Sequence, residues 1–307
     1  MSPRPLRDTA ASVKQRLLNL AKKQGEDFNF LLSRFAAERF LFRLSQSAPG
    51  RGFVLKGAML FHLRAMQMPH RATHDLDLLG TGTPDPARME RLFRGVCQVQ
   101  VPDDGLTFPE QNVRAEHIKP EDEYLGVRVR LQARMGSARI PLQIDVGFGD
   151  AVIPAPKQEL LATLLDFPAP AFLVYPWEAV IAEKFNAIVH LGMDNSRMKD
   201  YFDLHHLAAT RSFTGRTMAQ AIRASFERRR SQLPSRVPTG LRSEFAMDAA
   251  KQIQWRAFLR KLRMAEDALS LETIIAGLQG FLMPPVEALV QGVPFDKQWD
   301  PGGPWRE

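Results

Sequence analysis

Phe53-Val54-Leu55-Lys56-Gly57-Ala58-Met59, followed by Arg71-Ala72-Thr73-His74-Asp75-Leu76-Asp77-Leu78, is the part of this 307-residue chain whose reading decides the fold. The short apolar run 53–55 reads as a strand, and the pattern over 57–67 predicts a helix entered through a glycine turn. A second strand follows over 74–79. In extended backbone, residues two apart face the same side, so Asp75 and Asp77 would stand together and repel unless a cation lies between them. A divalent metal ion meets that need. Backbone N–H groups at a helix start hold anions, and glycine lets a phosphate come close. A phosphate cradle at Gly57 and Ala58 beside two metal-binding carboxylates points to nucleotide chemistry.

Outward from this stretch, Pro84-Asp85-Pro86 opens a helix predicted to run to about Val96. Val127, Val129 and Leu131 alternate with Arg128, Arg130 and Gln132, and Ile140, Leu142, Ile144, Val146 and Phe148 alternate likewise. Two strands, 125–133 and 140–148, would therefore carry one apolar and one wet face. Asp145 falls on the polar side and offers a third acid. Thr9 to Leu44 reads as two helices broken near Gly25. Beyond a proline-rich linker at 154–170, helical periodicity takes over in 177–191, 198–209, 218–228, 241–264 and 271–281. The expected architecture is α/β (α+β): a mixed-sheet core over 1–155, and a mainly α-helical C-terminal domain over 156–307. Pro301-Gly302-Gly303-Pro304 predicts an irregular tail.

A net charge of +7 suits a polyanionic partner such as RNA; Arg223, Arg228, Arg229, Arg230, Arg236, Arg242, Arg256, Arg260, Lys261 and Arg263 read either as a solvated helical face or as the candidate surface for RNA phosphates. The single cysteine, Cys97, excludes an intramolecular disulfide and a cysteine-cluster zinc site, as expected of a reducing, cytoplasmic setting. No apolar run reaches about 18 residues, so no membrane association is expected.

On the predicted helix 177–191, Lys184 interrupts the apolar stripe Trp177, Ile181, Ile188, Leu191. A buried ammonium needs an anion. A nucleotide phosphate would serve, and so would Asp200 or Asp203, which share a face near the start of the next helix.

Taken together, Lys56-Gly57-Ala58, the Arg71-x-Thr73-x-Asp75-x-Asp77 string, Glu183-Lys184, and Arg197-x-Lys199-Asp200-Tyr201-x-Asp203-Leu204 resemble the AbiEii-like nucleotidyltransferases of the DNA polymerase beta-like superfamily. The resemblance extends over roughly residues 28–263 and takes in Arg229 to Pro234 and Trp255-Arg256-Ala257-Phe258-Leu259. It implies a polymerase-beta-like nucleotidyltransferase core and an abortive-infection toxin of a type IV toxin–antitoxin pair. Lys56, Gly57, Ala58, Arg71, Thr73 and Lys184 would bind nucleotide, Asp75, Asp77 and Asp145 would bind metal, and Lys184 and Asp200 would complete the catalytic set. One departure is plain: where relatives carry two small residues and then Thr or Ser, this chain reads Gly57-Ala58-Met59. Side-chain phosphate contact would be lost there and backbone donors kept.

The expected activity is Mg²⁺- or Mn²⁺-dependent transfer of a nucleoside monophosphate from an NTP to an RNA acceptor, by resemblance the 3′ end of tRNA, with release of pyrophosphate. A separately encoded antitoxin is the expected partner. Transfer to a protein hydroxyl is the alternative reaction, and a non-catalytic nucleotide-binding module the alternative class.

Overall fold

A computed structural model describes residues 8–64, 75–118, 126–149 and 152–307. Two compact units are present: residues through Gly149 with Lys157–Val174 in the first, and Tyr175–Glu307 as the body of the second.

The first unit opens with α1 (Thr9–Gln24) and α2 (Phe28–Gln46). Asp8 and Asp27 cap them by accepting from the Ala11 and Phe30 backbone N–H groups, and Gly25 ends α1 in the left-handed region. Then come β1 (Val54–Lys56), α3 (Met59–Leu63), β2 (Asp75–Gly80), α4 (Pro86–Cys97), β3 (Arg114–His117), β4 (Val127–Met135) and β5 (Ala138–Phe148). The stretch 154–170, read as a linker, in fact contributes β6 (Lys157–Leu160), and β7 (Ala171–Val174) follows. Lys157-Gln158-Glu159 lacks an apolar alternation because β6 is an exposed edge. The strands form one mixed sheet in the order β3-β4-β5-β2-β1-β7-β6, with β2–β5 and β1–β7 parallel and the other pairs antiparallel.

Period-two alternation sorts the sheet into two faces. Leu55, Leu76, Leu78, Ile144, Val146, Val127 and Val129 are buried. Phe40 of α2 and Phe93 of α4 stack with centroids 5.9 Å apart, joined by Phe53 and Phe108. The opposite face carries the charged side chains. α2 also holds a buried ionic knot in which Asp104 accepts from Arg39 Nε at 3.0 Å and from both Arg43 terminal nitrogens at 2.7 and 3.0 Å. Glu38, with no exposed surface, accepts from the Leu164 N–H.

The second unit comprises α5 (Trp177–Leu191), α6 (Met198–Thr210), β8 (Phe213–Thr214), α7 (Gly215–Arg228), α8 (Ser243–Met247), α9 (Ala249–Lys261), α10 (Leu271–Gln291), β9 (Gln298–Trp299) and β10 (Trp305–Arg306). The expected single helix over 241–264 is two, because Asp248 leaves the first in extended conformation and caps the second through the Lys251 N–H. α10 runs ten residues past the expected end at Phe281, through Pro284 and Pro285. Pro285 has no N–H for the Phe281 carbonyl, and the Trp305 indole N–H donates to that oxygen instead, at 2.9 Å. The tail expected to be irregular is thus tied down by β8–β9–β10 pairing and its aromatic rings. By length and hydropathy α10 could cross a membrane; half of its most apolar window is buried inside the protein.

Candidate active site

Five charged residues line up across the polar face of the sheet. Lys56 on β1 pairs in register with Asp77 on β2, Asp77 with Asp145 on β5, Asp145 with Arg128 on β4, and Arg128 with Glu116 on β3. Adjacent strands lie about 4.8 Å apart, so each charge is a near neighbour of the next. Asp75 sits two residues before Asp77 on the same face, opposite Gln143. Asp75 is exposed, Asp77 and Asp145 half-buried.

Gly57 seats this row. Its φ of 73° is left-handed, and a Cβ there would overlap the Asp77 carboxylate, which fills the vacant space. The glycine is therefore required twice, by the turn and by the acid packed against it. α3 beyond it is only five residues long with no side-chain cap, too short for a strong helix dipole to aid an anion. α3 gives way to a turn at Arg64, short of the expected end at residue 67; residues 65–67, and Arg71, Thr73 and His74, lie outside the described residues.

Asp145 is engaged. Arg128 grips it with two parallel bonds, Nε to Oδ1 at 2.8 Å and Nη2 to Oδ2 at 2.7 Å. The bond to Asp145, with Asp75 and Glu116 adding to it, holds the guanidinium more firmly protonated than usual. Among the described residues, no three His, Cys, Asp or Glu side chains converge closely enough to share one ion. Asp75 and Asp77 still fit a hard cation. Mg²⁺ commonly takes one or two carboxylates and fills its remaining positions with water and phosphate oxygens, and Gly57 leaves the backbone side of Asp77 free of any Cβ.

The second unit holds the other predicted cluster. Lys184 on α5 extends from the stripe of buried Trp177, Ile181 and Ile188 to Asp203 at 2.8 Å and Asp200 at 2.5 Å, both on α6. Asp203 is fully buried and Asp200 nearly so. Burial opposes ionisation of Asp200, but Lys184, helped by Lys199 and Arg197, outweighs it and holds the carboxyl below its ordinary range. Both aspartates foreseen as partners thus meet the lysine. Buried Asn195 sets the turn before α6 by accepting from the Arg197 N–H at 2.9 Å, while Lys251 Nζ donates to the Asn195 carbonyl at 3.2 Å.

Sequence reading missed Arg128, Asn195 and Lys251. The Val127-Arg128-Val129 alternation placed Arg128 on the wet face, and only strand register assigns it to Asp145. Asn195 and Lys251 gave no pattern signal.

The sequence profile of the AbiEii nucleotidyl transferase toxins of type IV toxin–antitoxin systems matches residues 39–291, a span that holds both clusters. The chain belongs to the AbiEii family. It is accordingly a nucleotidyltransferase of a toxin family. Among solved structures, it is similar to JHP933 from Helicobacter pylori, at 12% identity and a TM-score of 0.40, covering 85% of this chain and 93% of that one. It is also similar to an H. pylori protein described as a candidate nucleotidyltransferase, at 13% identity and a TM-score of 0.41, covering 85% and 96%. No curated protein matches.

Proposed function

We propose that this AbiEii-family chain transfers a nucleoside monophosphate from an NTP to an RNA hydroxyl in the cytoplasm, the 3′ end of tRNA being the acceptor. A tRNA so modified cannot be aminoacylated, which accounts for toxicity, and a separately encoded antitoxin would restrain it. The observation that supports this reading best is the Asp75–Asp77 pair on β2, with Asp77 seated against the Gly57 turn.

In this reading Asp75 and Asp77 hold the divalent ion, which when bound would neutralise the triphosphate and polarise the α-phosphorus. Lys56, in register with Asp77, offers positive charge beside the pair. The Gly57-Ala58 turn offers backbone donors to the triphosphate. Arg71, Thr73 and Lys184 belong to the nucleotide-binding set by family resemblance, and Lys184 and Asp200 to the catalytic set on the same ground. The acceptor oxygen forms a bond to the α-phosphorus, the bond to the β-phosphate bridging oxygen breaks, and pyrophosphate leaves with that electron pair. The hydroxyl proton passes to a carboxylate or to water.

The test is incubation with each α-labelled NTP in turn, against purified tRNA and against lysate. Label in tRNA, reduced about 10³-fold in Asp77→Asn, supports the reading. Label confined to protein bands overturns the RNA acceptor, and full transfer by both Asp77→Asn and Lys184→Ala overturns the site.

A further inference from the structure

We propose that Arg128 is a positioning residue that sets how strongly the Asp75–Asp77 pair takes a divalent cation, by keeping both oxygens of Asp145 occupied. The inference rests on the metal-holding pair proposed above.

Three features of the sheet carry it. Asp145 stands directly opposite Asp77 on the neighbouring parallel strand, so it is the nearest additional carboxylate in register with the pair. Both of its oxygens are bonded to one guanidinium in fork-to-fork geometry, the strongest and most directional form of this contact. The Arg128–Asp145 ion pair is also sheltered, with side chains only 30% and 20% exposed, so solvent screens it weakly. On its other side Glu116, its neighbour on β3, is bonded to Arg130, so the bonds of Arg128 go to Asp145.

The consequence is electrostatic. Released from Arg128, Asp145 would be free to turn toward Asp75 and Asp77 and add a third carboxylate that binds a dication tightly without nucleotide, whereas with Arg128 in place it is held away and neutralised, and a fixed positive charge stands one strand beyond it. The cation then needs phosphate oxygens to complete its shell. Metal and nucleotide would bind together, with little metal held by the free protein.

Mn²⁺ binding to the full chain without nucleotide, followed by electron paramagnetic resonance, tests this independently of activity. Arg128→Gln should bind Mn²⁺ roughly tenfold more tightly than wild type. Arg128→Lys should stay near wild type, and Arg128→Gln with Asp145→Asn should lose the gain. Unchanged affinity in Arg128→Gln, or a gain that survives in the double variant, overturns the proposal and leaves the Asp75–Asp77 site standing. A rise in KM for NTP with Mn²⁺ affinity unchanged likewise overturns it and makes Arg128 a nucleotide contact. If Asp77→Asn added to Arg128→Gln leaves the tighter Mn²⁺ binding intact, the pair itself is wrong and this inference falls with it. Should the Gln variant fail to fold, Arg128→Met carries the same expectation.

Discussion

At the scale of single residues, Gly57 and Glu38 show how one position can be held by two constraints. In Gly57→Ala, a methyl group would enter the space of the Asp77 carboxylate at a backbone angle that costs an L-residue about 1–2 kcal/mol. A displacement of about 1 Å at a reacting group costs roughly 100-fold in rate. Gly57→Ala is therefore expected to fold and to lose about 100-fold in transfer, read by steady-state kinetics beside a thermal melt. Glu38 has no such freedom of response. Burial raises its carboxyl to about 7 from an ordinary 4.5, although the Leu164 N–H, Arg39 and Arg34 pull the other way. A raised folded-state value means stability fully present below about 4.5 and lost as pH rises through 7, a loss of roughly 3 kcal/mol. Urea unfolding from pH 4 to 8.5 should show that decline in wild type and a flatter profile in Glu38→Gln, which keeps an acceptor for Leu164. Equal slopes would show that Glu38 does not titrate there.

At the scale of elements, α5 and α6 are joined through one cation and two buried anions. Removing Lys184 would take from Asp200 and Asp203 the buried cation they share, and breaking a buried pair from one side costs about 3–5 kcal/mol. Lys184→Met should therefore lower the denaturation midpoint as well as activity, whereas a melt like wild type would show that water or a cation replaces the ammonium. α10 makes a second case. Its path through Pro284 and Pro285 leaves the Phe281 carbonyl to Trp305, and Trp305→Phe keeps the ring while removing the donor. A loss of about 1–2 kcal/mol is expected by chemical denaturation, the cost of one buried acceptor left unmet. A proline in a helix interior forfeits a hydrogen bond, and the donor that serves the Phe281 carbonyl instead lies 24 residues away. The end of α6 is served in the same way, its Ala208 carbonyl accepting from Trp299 Nε1 and the Gly302 N–H.

For the whole molecule, the net charge of +7 becomes a statement about partners. If Arg228, Arg229 and Arg230, at the end of α7, contact RNA phosphates, changing all three to Ser should weaken tRNA binding across sequences. The slope of log affinity against log salt should fall by about 2–3, measured by filter binding at several salt concentrations. An unchanged slope would place the RNA elsewhere.

Much of this protein was legible in its chain. Apolar spacing predicted α1, α2, α5 and α6 and the strands β4 and β5, because it reflects which side of each element is buried, while a proline start signal marked α4, a short apolar run β1 and the order of turn, helix and paired acids β2. The same spacing put Asp75, Asp77 and Asp145 on the polar side of their strands, and Lys184 in an apolar stripe that demanded an anion. The edge strands, the course of α10 and the anchored tail carried no local signal, since what stabilises them lies far along the sequence. So too with partners: the sequence could name three acids but not that Arg128 occupies one of them, nor that Asp200 and Asp203 both close on Lys184. Local pattern determines which face a side chain takes, because the backbone repeat is local. Only the register between strands and the packing between helices decides which charges meet, because the Coulomb and hydrogen-bond energies that fix them depend on distance in space.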